Sequence, residues 1–281
     1  MGGAMAAEAC GVQALRAWTA AGDFGGLKDG HACEEMVPGS RPWLEALPAP
    51  PELYWELLLG LYCVCVVKKT AAAMSLELHK ERFVQSIVMA CMAGYGGSLI
   101  NPALLGVPAP PIANPKLVSA MVLAWILYHN MFFGAAWRRL VSTWVVEMLV
   151  DVGYEIFRCW VLFSWYAKAQ LALAPTGADW LGPVICGTIG GSGGAFLPMS
   201  KGLRPLDDGA PWTMESAFYV VLIYHNFRDA TPLFKANLHA TLCLVLVLAR
   251  LFPATTETIV RPARLLVRVT LGLGPRKIKV D

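Results

Sequence analysis

The chain has 281 residues, of which 56% are hydrophobic and only 15% charged, with a mean hydropathy of +0.51 and a net charge of +3. A soluble fold covers itself with charged residues at nearer a quarter of its length, so this composition excludes an ordinary water-facing surface and assigns much of the surface to lipid. No basic run interleaved with aromatics stands outside the C-terminal tail, which gives no case for a nucleic-acid partner.

Residues 1–51 are rich in Gly, Ala and Pro, carry mixed charge and end in Pro48-Ala49-Pro50-Pro51. They read as a weakly ordered tail with one short amphipathic helix near Ala14–Ala21. No basic segment leading into an apolar one marks a cleavable signal there. Met1-Gly2 is followed by Ala6 rather than Ser or Thr, which argues against myristoylation. Eight cysteines (Cys10, Cys33, Cys63, Cys65, Cys91, Cys159, Cys186 and Cys243) form neither a CxxC pair nor a zinc spacing. Six of them fall in apolar runs, where a thiol serves as a small core residue.

Seven apolar stretches follow, at 52–67, 83–100, 117–137, 140–167, 180–200, 212–230 and 233–252. A bilayer core of about 30 Å needs about 20 helical residues, and lipid cannot satisfy an open sheet edge. The expected fold is therefore an all-α membrane protein with seven transmembrane helices. The basic residues set its orientation. Lys68, Lys69, Lys80, Arg82, Arg138, Arg139, Lys201 and Arg204 flank one side, and the tail 253–281 adds more. The opposite loops hold only Lys116, Lys168, Arg228 and Lys235. This asymmetry puts the C-terminus in the cytosol and the N-terminal tail in a lumen.

The second stretch contains Gly94-Tyr95-Gly96-Gly97, and the fifth contains Gly191-Ser192-Gly193-Gly194 at an offset of 97. The third carries Tyr128-His129-Asn130 and the sixth Tyr224-His225-Asn226 at an offset of 96. Two ordered matches at nearly one spacing define an internal repeat. Its unit is three helices, an odd number, so the second copy enters the membrane from the other side as an inverted repeat. The domains are then the tail 1–51, a first repeat 52–139, a second repeat 140–232, a seventh helix 233–252 and a basic tail 253–281. This 3+3+1 order differs from the 3+1+3 order of sugar carriers, whose halves run parallel.

Mid-membrane glycines either let helices pack closely or break a helix and bare its carbonyls to a water-filled path. The doubled Gly-Gly in both halves, with Pro102 and Pro198 just beyond, favours broken helices at a pore. His129 and His225, each with its flanking Tyr and Asn, are expected to line a polar interior, with proton sensing as the second use. Without nearby carboxylates or thiolates they make no metal site. In the fourth stretch Glu147, Asp151, Glu155 and Arg158 are spaced four, four and three apart, which stacks them on one helix face. Such groups at membrane depth pair with one another or face a cavity. Glu155 or Asp151 pairing with Arg158 is the structural reading, and a cation path with an anionic headgroup on Arg158 is the functional one. The run from Gly187 to Gly194 lacks a Gly-Lys-Ser/Thr ending, and no nucleophile–base pair, HExxH or dinucleotide fingerprint occurs. An ion channel is expected rather than an enzyme, with a secondary transporter as the alternative. A seven-helix photoreceptor would want a lysine deep in the last helix, which offers only Lys235 at its edge.

Over residues 52–252 these features resemble the trimeric intracellular cation (TRIC) channels. Gly190-Gly191-Ser192-Gly193 is similar to the Lys-Gly-Ser-Gly of animal members, with Gly190 at the lysine position. Tyr154-Glu155-Ile156-Phe157-Arg158 is similar to their Lys-Glu-Val-x-Arg, with Tyr154 at the lysine position. The resemblance implies a homotrimer in the endoplasmic reticulum or another intracellular membrane, with one pore per subunit. Each pore would pass potassium, and sodium as a second ion, to balance charge during calcium release. It also implies a phosphoinositide or other anionic lipid on the basic residues of the fourth-helix motif, and no other cofactor.

Overall fold

The computed structural model describes residues 52–73, 81–130, 132–174, 177, 180–195 and 212–270, all in helices and connecting turns. The expected helix near Ala14–Ala21 and Pro198 lie outside the described residues. Ten helices run in chain order among them: α1 Glu52–Ala73, α2 Phe83–Leu105, α3 Pro110–Ala113, α4 Pro115–His129, α5 Gly134–Val141, α6 Trp144–Leu173, α7 Leu181–Ser192, α8 Trp212–Asn226, α9 Pro232–Leu251 and α10 Pro253–Thr270. The seven expected stretches correspond to α1, α2, α4, α6, α7, α8 and α9.

Local chemistry sets the boundaries. Gly106, at φ +67°, closes α2 in the left-handed conformation and donates its N–H to the carbonyl of Pro102. Proline at the first helical position opens α3, α4 and α9, and the Asn114 and Thr231 side chains accept from Lys116 N and Phe234 N. The third stretch, expected to run unbroken over 117–137, is divided instead. The Asn130 side chain accepts from the N–H groups of Phe132 and Phe133, at 2.7 and 2.9 Å, and turns the chain into α5. A local side-chain bond competes with the helix ladder and wins.

Two helices, Phe83–Leu105 and Leu233–Leu251, are long and apolar enough to cross a bilayer by length and composition, and α4 with α5 makes a third if the pair is one broken span. The all-α expectation holds, with ten helices among the described residues rather than an exact seven. At 1.5 Å per residue α7 rises only about 18 Å and α8 about 22 Å, and α1 and α6 carry charges along their lengths.

The packing suits lipid rather than water. Phe83, Val88, Leu104, Leu123, Ile126, Leu149, Phe218, Ile223, Leu244 and Val245 are exposed, while Ser86, Asn101, Glu155, Arg158 and Lys168 are buried. Small or polar residues at interfaces and large apolar ones outside are the membrane arrangement. Two cores result. Leu58, Tyr62, Val67, Ala90, Tyr95, Met121, Tyr154 and Phe157 form the first, and Cys159, Leu162, Phe163, Val184, Val221, Tyr224 and Leu246 the second. The 30-residue α6 contributes to both, and the division falls at Arg158.

Candidate functional site: a backbone crossing and its charged support

The repeated glycines meet each other. A Cβ on Gly97 of α2 would stand 2.2 Å from the carbonyl oxygen of Ile189 and 3.1 Å from the Cα of Gly190. A Cβ on Gly194 would stand 2.3 Å from the carbonyl oxygen of Met92 and 2.4 Å from the Cα of Ala93. Adding 97 to 92, 93 and 97 gives 189, 190 and 194, so each contact is the image of the other under the repeat. The N–H of Gly194 donates to the carbonyl of Ala93 at 2.7 Å. The two halves thus touch main chain to main chain, as small residues permit.

The expected symmetric break is corrected at one of its two positions. Helix α2 continues through buried Gly94, Gly96 and Gly97 to Leu105. Its glycines serve close approach and leave the helix whole. Helix α7 does end here, at Ser192, because Gly193 takes φ +58°. Ser192 donates its hydroxyl back to the carbonyl of Thr188 at 2.6 Å.

Each repeat then caps one equivalent carbonyl at the crossing. In the first, the Tyr62 hydroxyl of α1 donates to the carbonyl of Gly94. In the second, Arg158 Nε of α6 donates to the carbonyl of Gly191, 97 positions on, at 2.6 Å. Arg158 also binds Glu155 Oε2 through Nη1 at 2.6 Å, and Ser216 Oγ at 2.6 Å and the carbonyl of Thr213 through Nη2. Arg158 is 3% exposed and Glu155 1%, so one guanidinium fastens α6, the end of α7 and the start of α8 in a dry interior. Asn101 adds a second tie, donating from Nδ2 to the carbonyl of Cys186 at 2.7 Å.

The fourth-stretch acids do not form one stripe of unpaired charge. Glu147 is half exposed and pairs with Lys68 of α1 at 2.7 Å. Asp151 pairs with Arg250 of α9, at 2.8 Å to Nη2 and 3.1 Å to Nε. Glu155 alone pairs with Arg158. The expected cation path along these acids is corrected for that reason: each carboxylate is matched to a base on its own or another helix. Tyr154 stacks on Tyr62 with centroids 5.2 Å apart. Lys69 Nζ lies 3.8 Å from the Tyr154 ring centroid and the Arg250 guanidinium 5.8 Å from it, a cation–π arrangement. The pair joining α6 to α9 permits a direct test. In a double-mutant cycle of Asp151→Asn and Arg250→Gln we expect a coupling of about 1–2 kcal/mol, measured by unfolding in mixed micelles. Strict additivity of the two single effects would mean that the contact does not hold α9.

The Tyr-His-Asn tripeptides stay apart. Tyr128 packs on the first core and Tyr224 belongs to the second. His129 is buried with its ring 4.7 Å from that of Trp125, and Asn130 caps the turn. Tyr224 packs at a tilt against Phe163, His225 Nδ1 shares a 2.9 Å hydrogen bond with the Tyr166 hydroxyl, and Asn226 donates to the carbonyl of Leu222. Lys168, counted above among loop cations, lies inside α6 and is 5% exposed. Tyr62, Asn101, Lys168 and Arg250 are site residues that sequence reasoning passed over. The last three are polar or charged residues inside apolar runs, a usable signal, whereas nothing marked Tyr62. Beside the crossing, a cavity of about 30 Å³ lies between α1, α2 and α6, with Tyr62 and Gly94 in its wall.

This fold, with α2 and α7 crossing backbone to backbone at matching positions of two inverted repeats, defines a class of helical membrane protein. The chain is similar to the structure of a trimeric intracellular cation channel from C. elegans with bound Ca2+. The TM-score is 0.56 and the identity 15%, over 76% of this chain and 94% of that one. A structure of a trimeric intracellular cation channel from C. elegans in the absence of Ca2+ gives a TM-score of 0.54 at 15% identity, over 74% and 93%. A TRIC counter-ion channel structure gives 0.59 at 15% identity, over 72% and 95%. The chain therefore has the TRIC fold. No family model matches the sequence, and no curated protein matches it.

Proposed function

We propose that this chain is a divergent TRIC channel that passes potassium and, less selectively, sodium through each subunit of a homotrimer in an intracellular membrane. The observation that carries the reading is the fold shared over nearly the whole length of solved cation channels. The hydroxyl-bearing cavity beside the glycine crossing supports it, since backbone carbonyls and hydroxyls favour cations. In this reading the protein does no covalent chemistry. It supplies counter-ion current, of the kind named for one of the similar structures in calcium release. An anionic lipid headgroup fits beside Tyr154, where Lys69 and Arg250 gather although the motif lysine is absent. The N-terminal tail faces the lumen and the basic tail the cytosol.

Purified protein in planar bilayers is expected to give unitary potassium current steps. Saturable, gradient-coupled flux without steps would favour a secondary transporter instead. The ending of α7 at Gly193 is the specific feature that fits that alternative. In sealed microsomes, protease added outside should remove the C-terminal tail and spare residues 1–51. Loss of the N-terminal tail would reverse the orientation.

A further inference from the structure

The basic tail of the sequence opens with a helix. The apolar α9 is long enough to cross a bilayer and ends at Leu251, and α10 starts at Pro253 after the single residue Phe252. The Thr256 hydroxyl fastens this junction, donating to the carbonyls of Ala249 at 3.2 Å and Phe252 at 2.9 Å. The first turn of α10 therefore lies at the membrane face where α9 ends. The helical register divides α10 in two. At about 100° per residue, Glu257, Arg261, Arg264 and Arg268 fall within about 60° of one another. Ile259, Ala263 and Leu266 fall opposite them, and Val260 and Val267 flank that apolar face. Ile259 is 69% exposed and Arg261 is exposed too, so this turn shows both its apolar and its basic side. The helix does not suit a span of its own. It carries those four charges in 18 residues, and Pro262 has no N–H for the carbonyl of Thr258. Hydrocarbon penalises such a carbonyl, whereas the hydrated headgroup layer satisfies it.

We propose that α10 is a lipid-binding element that lies along the leaflet where α9 ends, its Ile259 face in the acyl boundary and its arginine stripe on anionic headgroups. A helix with a broad apolar face, a basic opposite face and modest overall hydrophobicity takes this place. The commitment to anionic lipid follows from charge. The stripe sets three arginines against one glutamate, and Arg276, Lys277 and Lys279 follow in the sequence. Guanidinium groups bind phosphate oxygens through paired, charge-assisted hydrogen bonds. The proposal rests on the orientation reading above only for the side, which is then the anionic cytosolic leaflet.

Two measurements test it. The full chain is placed in nanodiscs of phosphatidylcholine, with or without phosphatidylserine, and hydrogen exchange is followed over residues 253–270. Phosphatidylserine is expected to slow exchange there on the order of tenfold while leaving α6 unchanged. High salt should remove the slowing by screening the headgroups. The combined change Arg261→Gln, Arg264→Gln and Arg268→Gln should remove it as well. Separately, p-benzoylphenylalanine in place of Ile259 should join a phospholipid acyl chain on illumination. Exchange that ignores phosphatidylserine overturns the inference. So does slowing that survives high salt or the loss of the arginines. A photoadduct to a second copy or to another segment of this chain, in place of lipid, overturns it too. The lipid and salt comparisons use the native chain, so a poorly folding triple variant does not protect the inference. Neither readout needs conduction, and a nanodisc exposes both leaflets, so the channel and orientation readings stand or fall separately.

Discussion

Arg158→Ala is expected to be the most damaging single substitution in the described part of the chain. It strips Glu155, 1% exposed, of its partner and removes donors from the Gly191 carbonyl and Ser216 at once. Breaking a buried pair from one side costs about 3–5 kcal/mol, because the surviving charge stays in low dielectric. Arg139→Ala, at an exposed position on α5, should stay within about 0.5 kcal/mol. Folded yield by size-exclusion and unfolding in mixed micelles measure both. The double change Glu155→Gln with Arg158→Met should recover part of the loss, since removing both charges is far cheaper than removing one. Equal behaviour of the two arginine variants would take Arg158 out of the structural account.

Gly97→Ala and Gly194→Ala should come next in severity. A methyl at either site meets backbone, which cannot rotate away as a side chain can. Overpacking of this kind costs about 1–3 kcal/mol, and occasionally more. Leucine at either site should be worse. The two alanine variants should also resemble each other, because their contacts are images under the repeat. Folded yield is expected to fall first, with flux per surviving trimer changing less. If Gly97→Ala left yield intact and abolished flux, α2 would have to bend at that glycine during conduction. Gly60, with open space around its Cβ position, is the control and should accept alanine without loss.

What is legible in the sequence and what is not divide along the range of the interaction. The repeat is legible because identical residues recur at one offset, and the helical class because hydropathy is a local sum. The role of Gly96-Gly97 is not. A kink and a close crossing ask for the same residue, and what separates them is Ile189, more than ninety positions away. The acids of α6 show the same limit. Their spacing puts them on one helix, but Lys68 and Arg250 settle what Glu147 and Asp151 do, and those bases lie on α1 and α9. Lys168 reads as a loop charge in the sequence because charge near the end of an apolar run signals a boundary. Here α6 continues past it, with the ammonium resting on Trp165. Asn130 defeats the expected span 117–137 in the opposite way, since an amide inside an apolar run can be buried or can turn the chain.

The sharing of α6 between two cores has a consequence for how the protein is made. Helices α1 to α5 are synthesised and delivered to the membrane first, yet their core lacks Val150, Tyr154 and Phe157 until α6 follows. The first half must therefore wait in the bilayer, loosely associated, for the opening stretch of the second. A ribosome-stalled or truncated product ending near Ser142 would hold every helix of the first repeat and still be unable to close it. Quality control in the membrane would meet that intermediate on every round of synthesis. Co-expressed halves split at the same point should reassemble only when α6 inserts in its proper direction.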